Sequence, residues 1–197
     1  SDLGCGLIAA AADDHGSSCL GTSSGRELWS TDGTQAGTYR VADIQQESAG
    51  SSPAFFASWR GWLYFAAAVH PASGRELWRT TGAIGDVRQV NDISRGHRGS
   101  SPGYLLAWDD KLFMAATEPE RGREVWVLHD PDAAVWSVVD VAPGPHSSDP
   151  ECFTPVGSNT AVVFIAWTAE TGRELWVTDG STAGTRLLKD ICPGRCN

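Results

Sequence analysis

Short apolar runs bounded by Gly, Asp or Asn punctuate the chain: Leu7 to Ala12, Leu63 to Ala68, Leu112 to Ala116 and Val162 to Ala166. Their length and aromatic content predict strands buried on both faces. A second pattern sits behind each run. It reads Gly25-Arg26-Glu27-Leu28-Trp29, Gly74-Arg75-Glu76-Leu77-Trp78, Gly122-Arg123-Glu124-Val125-Trp126 and Gly172-Arg173-Glu174-Leu175-Trp176, at spacings of 49, 48 and 50 residues. A turn follows, clearest in Thr31-Asp32-Gly33-Thr34 and Thr178-Asp179-Gly180-Ser181, because Asp-Gly is among the best short hairpin signals. A third strand ends in Val41-Ala42-Asp43-Ile44, Val90-Asn91-Asp92-Ile93, Val139-Asp140-Val141 and Leu188-Lys189-Asp190-Ile191, with aliphatic and acidic positions on opposite faces. Gly50-Ser51-Ser52-Pro53, Gly99-Ser100-Ser101-Pro102 and Ser147-Ser148-Asp149-Pro150 then make loops before short strands near Phe55, Tyr104 and Phe153.

Each unit of about 48 residues thus carries four short strands and no segment of helical period. Four strands per such unit is the signature of a propeller blade. The expected fold is all-β: one domain over residues 1–197, a single four-bladed β-propeller of about fifteen short strands. The fourth unit stops at Cys192 to Asn197, before its own loop and last strand. Residues 1–4 are expected to fill that slot in their own ring or in a neighbour's, the latter giving a head-to-tail filament.

Composition narrows the function. A net charge of −9 and pI near 4.9 exclude a nucleic-acid face, which phosphates require to be basic. No run approaches the roughly 20 apolar residues of a membrane-spanning helix. The chain opens at Ser1, so a leader is expected to have been removed. Five cysteines, Cys5, Cys19, Cys152, Cys192 and Cys196, lie mostly at the two ends, with no Cys-x-x-Cys pair or zinc-ligand histidine. They read as disulfide candidates in an oxidising compartment. An odd count leaves one thiol over, and Cys152 is the expected one; a bridge between the two terminal groups competes with a local Cys192–Cys196 bond.

The phrase Glu27-Leu28-Trp29-Ser30-Thr31-Asp32-Gly33-Thr34, nearly repeated at Glu174 to Ser181, resembles the ELWxxDGT-repeat family. The other two copies keep only its first half, and the resemblance covers roughly residues 20–191. It implies a secreted or cell-surface bacterial repeat protein and names no substrate.

Fourfold repetition is a mark of architecture, since catalysis needs different residues in different roles. Adjacent Arg and Glu point to opposite sheet faces, so Arg of one blade is expected to pair with Glu of the next. The phrase tryptophans are expected to pack between blades. Trp59 and Trp108, each six residues after a loop proline, read as rim aromatics and are the candidate ligand-binding residues. Trp62, Trp136 and Trp167 have no counterparts in the other units. Asp130-Pro131-Asp132 and Asp13-Asp14 fall short of a calcium loop, and no Ser/His/Asp set or nucleophile elbow is visible. The sequence therefore predicts a non-enzymatic structural or interaction protein, without metal or cofactor, that self-associates or meets other extracellular proteins. The alternative is a carbohydrate-binding module for a glycan.

Overall fold

The computed structural model describes residues 7–10, 25–45, 50–69, 74–94, 98–130, 132, 135–157 and 161–193. Every regular element among them is a strand, and no helix is long and apolar enough to cross a membrane. Where the sequence suggests one domain, the strands divide into two compact units, residues 1–99 and 100–197.

In the first unit, β1 (Leu7–Ala10), β2 (Leu28–Thr31) and β3 (Tyr39–Ala42) form one antiparallel sheet. β4 (Ala54–Trp59), β5 (Trp62–Val69), β6 (Gly74–Thr80) and β7 (Val87–Asn91) form a second, in chain order. In the second unit, β8 (Gly103–Trp108), β9 (Lys111–Glu118), β10 (Gly122–Asp130) and β11 (Val135–Val139) make the third sheet. β12 (Glu151–Val156), β13 (Ala161–Thr168), β14 (Gly172–Thr178) and β15 (Arg186–Lys189) make the fourth. The predicted apolar runs become β1, β5, β9 and β13, and the phrase becomes the strand hydrogen-bonded to each.

Alternation along the phrase explains the core. Leu and Trp lie one residue apart, so their side chains leave opposite faces of the sheet. In the first unit Leu28 and Val41 of one sheet pack with Phe65 and Ala67 of the other, and Trp78 closes against them. In the second unit Val125, Val127 and Val139 meet Phe164 and Ala166, again with the phrase tryptophan, Trp176, against the cluster. The apolar residue of one phrase and the tryptophan of the next therefore share a core.

The phrase glutamate does something other than the expected pairing with arginine. Glu27 is fully buried and accepts hydrogen bonds from the N–H groups of Ile44 (3.1 Å), Gln45 (3.2 Å) and Ser51 (2.9 Å), and from the Ser51 hydroxyl (2.6 Å). Glu124 repeats this with Val141 N (2.9 Å), Ala142 N (3.4 Å), Ser148 N (2.9 Å) and Ser148 Oγ (2.6 Å). Glu174 takes the N–H groups of Ile191 and Cys192 at 2.9 and 3.0 Å. A carboxylate is acceptor-only, and the end of an outer strand offers donors that would otherwise be buried unpaired. Backbone amides outcompete an arginine because the exit loop folds directly over the carboxylate. The arginines turn to the other face: Arg75 Nη1 donates to the Ala66 carbonyl at 3.1 Å, Arg123 Nη1 to the Ser101 carbonyl at 2.7 Å, and Arg173 pairs with Glu151.

The same approach fixes a glycine. A Cβ on Gly50 would lie 2.1 Å from the Arg26 nitrogen, so only glycine lets the loop reach the phrase there.

The Asp-Gly turns are built by side chains. Asp32 Oδ1 accepts from the Thr34 N–H (2.9 Å) and hydroxyl (2.8 Å), and the Thr34 Oγ1 accepts from Gly37 N at 3.0 Å. Asp179, Ser181 and Gly184 repeat the geometry at 2.8, 2.7 and 3.0 Å. The hydroxyl and then the N–H of Thr34 hold Asp32 below the usual carboxylate pKa, as Ser181 does for Asp179. The turn glycine also ties sheets together within each unit: the Gly82 carbonyl accepts from Tyr39 Oη (3.1 Å), and the Gly180 carbonyl from Ser137 Oγ (3.3 Å).

Two predictions follow from these contacts. Burial pushes Glu124 up to about 7, against the downward pull of its Ser148 and Val141 donors. A raised folded-state value means that its contribution is fully present below the ordinary 4.5 and is lost as pH rises through about 7. Urea unfolding from pH 4.5 to 8 should show this decline in the wild type and a flatter profile in Glu124→Gln. Glu124→Ala should cost about 2–4 kcal/mol, because several buried donors lose their acceptor. An unchanged slope in the Gln variant would assign the pH dependence elsewhere.

The second concerns the turn. A Cβ on Gly184 would lie 2.2 Å from the Asp179 carboxyl carbon. Gly184→Ala must therefore expel that carboxylate and should cost at least the roughly 1 kcal/mol expected for Asp179→Ala. The double variant should be little worse than Gly184→Ala alone. Additive losses in a double-mutant cycle would show that the two residues act separately.

Candidate functional site

The sequence candidates scatter. Trp59 and Trp108 are the last residues of β4 and β8, not loop residues, and are only 7% and 8% exposed. Two-residue turns follow at once, Arg60-Gly61 and Asp109-Asp110, all four residues at positive φ, as tight hairpins require. Each tryptophan is thereby held at the final paired position and turned inward. Trp59 meets Tyr64 at 5.6 Å between ring centroids and carries the Arg60 guanidinium at 4.8 Å. Trp108 meets Phe113 at 5.9 Å and carries Lys111 at 5.7 Å. The expected rim platform is therefore corrected: these rings are hairpin cores with cationic covers. Cys152 is a free, exposed thiol and Cys192 is disulfide-bonded. Cys5, Cys19, Cys196 and the slot-filling residues 1–4 lie outside the described residues.

Three first strands share a strained position. Phe55, Tyr104 and Cys152 have φ of 57°, 54° and 58°, each inside a register shift that marks a bulge. All three side chains are exposed. In the second unit Tyr104 Oη donates to Glu151 Oε2 at 3.0 Å while Arg173 holds the same carboxylate. This cluster is a satisfied surface network.

Concavity lies elsewhere, where one sheet's clamped exit loop faces the next sheet's phrase tryptophan. In the first unit a groove of about 490 Å³ runs past Ile44, whose N–H is held by Glu27, to Trp78 and Val87. Its rim includes Arg40 and Asp43, which pair with each other at 3.2 Å. In the second unit a groove of about 460 Å³ has Val141 and Ala142, held by Glu124, as its floor. Trp176 and Leu187 form one side, and Trp167, Glu170, Pro143 and His146 complete it.

This second groove departs most from the repeat. Trp167 occupies the place, opposite the phrase arginine, that Ala68 and Thr117 hold in the preceding units. It is half-buried at the end of β13, and its N–H donates to the Ser148 carbonyl at 2.7 Å, so its backbone is fixed by the clamped loop. The turn after it carries the exposed Glu170. The Thr168 and Thr171 hydroxyls lie 2.9 Å apart, and Thr168 Oγ1 also accepts from Thr171 N at 3.2 Å, which makes the turn rigid. A tryptophan without counterparts was the signal in the sequence; its joining to Trp176, His146 and Glu170 required the fold.

Other chemistry is sparse among the described residues. No group of three or more His, Cys, Asp or Glu side chains gathers as a metal site. His129 Nε2 lies 2.8 Å from Ser137 Oγ, the reach of a base and a nucleophile. Ser137, however, also donates to the Gly180 carbonyl, and the pair joins neighbouring hairpins.

No protein-family model matches the chain, and no curated protein matches it. Among solved structures it resembles a prolyl endopeptidase from a study of two such enzymes, with a TM-score of 0.53 and 13% identity over 84% of this chain and 23% of that one. Bacteroides ovatus Xyloglucan PUL GH43B gives a TM-score of 0.41 and 15% identity over 69% of this chain and 30% of that one. An alpha-L-arabinofuranosidase from Fusarium graminearum, in complex with an iminosugar inhibitor, gives 0.46 and 13% over 86% and 56%. The last two are too distant to carry an argument. The chain spans less than a quarter of the length of the endopeptidase it matches, and that likeness is one of fold alone.

Proposed function

We propose that the chain is a non-catalytic, extracellular binding module, its four sheets acting as the blades of one β-propeller and its ligand held in the groove of the second unit. The carrying observation is that groove: the clamped loop fixes its floor, and Trp167, His146 and Glu170 stand where the sequence leaves the repeat. Residues common to the units are consumed by architecture, glutamate by amides and Asp-Gly by turns. The disulfide at Cys192 supports an oxidising compartment, and the resemblance to ELWxxDGT repeats agrees with it. Filament formation is not adopted, because its expected cause, a last unit short of its outer strand, is corrected by the structure. The last sheet carries four strands, β12 to β15, and the three-stranded sheet among the described residues is the first.

A crystallographic soak with small polar and aromatic fragments tests the reading. Hits should cluster on Trp167 and Trp176, and Trp167→Ala should abolish them while the protein stays folded. Trp108→Ala, made in parallel, should instead cost about 3–5 kcal/mol as a core truncation. Fragments that leave this groove empty and cluster elsewhere would sink the proposal.

A further inference from the structure

We infer that the ligand of the second-unit groove is a neutral saccharide, with the C–H face of a pyranose ring laid on an indole and its hydroxyls turned to the turn at 169–171. The inference rests on the preceding reading of the groove as a ligand site. Its first support is strand register. Residues directly opposite each other in an antiparallel pair share a face. Phe164 pairs with Trp176 and Trp167 with Arg173, one residue out of phase. The two indoles therefore leave opposite faces of the β13–β14 pair. They do not form facing walls of a box, so a quaternary ammonium caged between aromatic faces is disfavoured.

Charge gives the second support. The groove lining holds no Lys or Arg, it carries Glu170, and the whole chain is at −9. Phosphorylated, sulfated and uronic ligands meet repulsion there. Hydrogen-bonding capacity gives the third. Glu170 is acceptor-only when ionised, and the Thr168 and Thr171 hydroxyls are engaged with each other. A ligand hydroxyl that donates to Glu170 matches it, as adjacent sugar hydroxyls do and prolines do not. A proline-rich peptide, the other common guest of tryptophan-lined grooves, supplies mainly carbonyl acceptors. A volume of about 460 Å³ falls within the roughly 300–1,000 Å³ of small-ligand sites.

The test is a glycan array probed with the whole chain, followed by titration calorimetry with the best neutral oligosaccharide, a sulfated counterpart and a proline-rich peptide. Neutral glycans should bind, Trp167→Ala should weaken them by about tenfold or more, and Glu170→Ala by several-fold, in keeping with loss of an aromatic anchor and a hydrogen bond. Melting curves should show both variants folded. A preference for the sulfated glycan or the peptide would overturn the inference, as would glycan binding indifferent to Trp167→Ala. If fragments occupy the groove but no saccharide does, the saccharide assignment fails and the binding-module reading survives. If nothing occupies the groove, both fail.

Discussion

A buried phrase carboxylate met mainly by backbone amides, seen at Glu27, Glu124 and Glu174, is the contact on which the sheets depend. It gathers the N–H groups where the outer strand ends and, in Glu27 and Glu124, the N–H and hydroxyl of a serine at the start of the next sheet. That serine's carbonyl then accepts from the following sheet: Ser51 from Ala68 at 2.9 Å, and Ser148 from Trp167 at 2.7 Å. One acceptor thereby fixes where a sheet stops and how its successor begins. An unpaired buried amide costs about 1–3 kcal/mol, so losing the carboxylate acts on several donors together.

Environment sets the protonation of these carboxylates. Burial raises Glu124 to about 7. Glu174, in the last sheet, is held below its ordinary value by the amides of Ile191 and Cys192. Its stabilisation is therefore present above that ordinary value and fades as pH falls through the lowered one, opposite in sign to Glu124. The same residue in the same phrase responds to acid in two directions because burial dominates at Glu124 and the amide donors dominate at Glu174.

Periodicity made the strands legible. The runs before each phrase, the Asp-Gly turns and the Gly-Ser-Ser-Pro loops all fall where the spacing puts them. The glutamate's partners did not show, because backbone donors have no letter in the sequence. Trp59 and Trp108 misled for a related reason: Arg60-Gly61 and Asp109-Asp110 are complete turns in two residues, and this places each tryptophan on a strand and inside. The bulges at Phe55, Tyr104 and Cys152 were equally hidden, since none of these residue types announces positive φ. Trp167 was visible as an aromatic without counterparts, but its neighbours His146 and Trp176 come together only through the packing of two sheets.

The clamp also works as a ruler. From phrase glutamate to loop serine the chain counts 24 residues every time: Glu27 to Ser51, Glu76 to Ser100, Glu124 to Ser148. From that serine to the next glutamate it counts 25, 24 and 26. The variation falls in two connections, of two, two and four residues after β4, β8 and β12, and of four, three and three after β5, β9 and β13. Because amides are supplied by any residue but proline, the measured half tolerates change of identity and resists change of length. The unmeasured half has the opposite freedom. The turn that carries Glu170 lies in that half, so insertions there can reshape the rim of the groove while the spacing that holds the sheets in succession stays untouched.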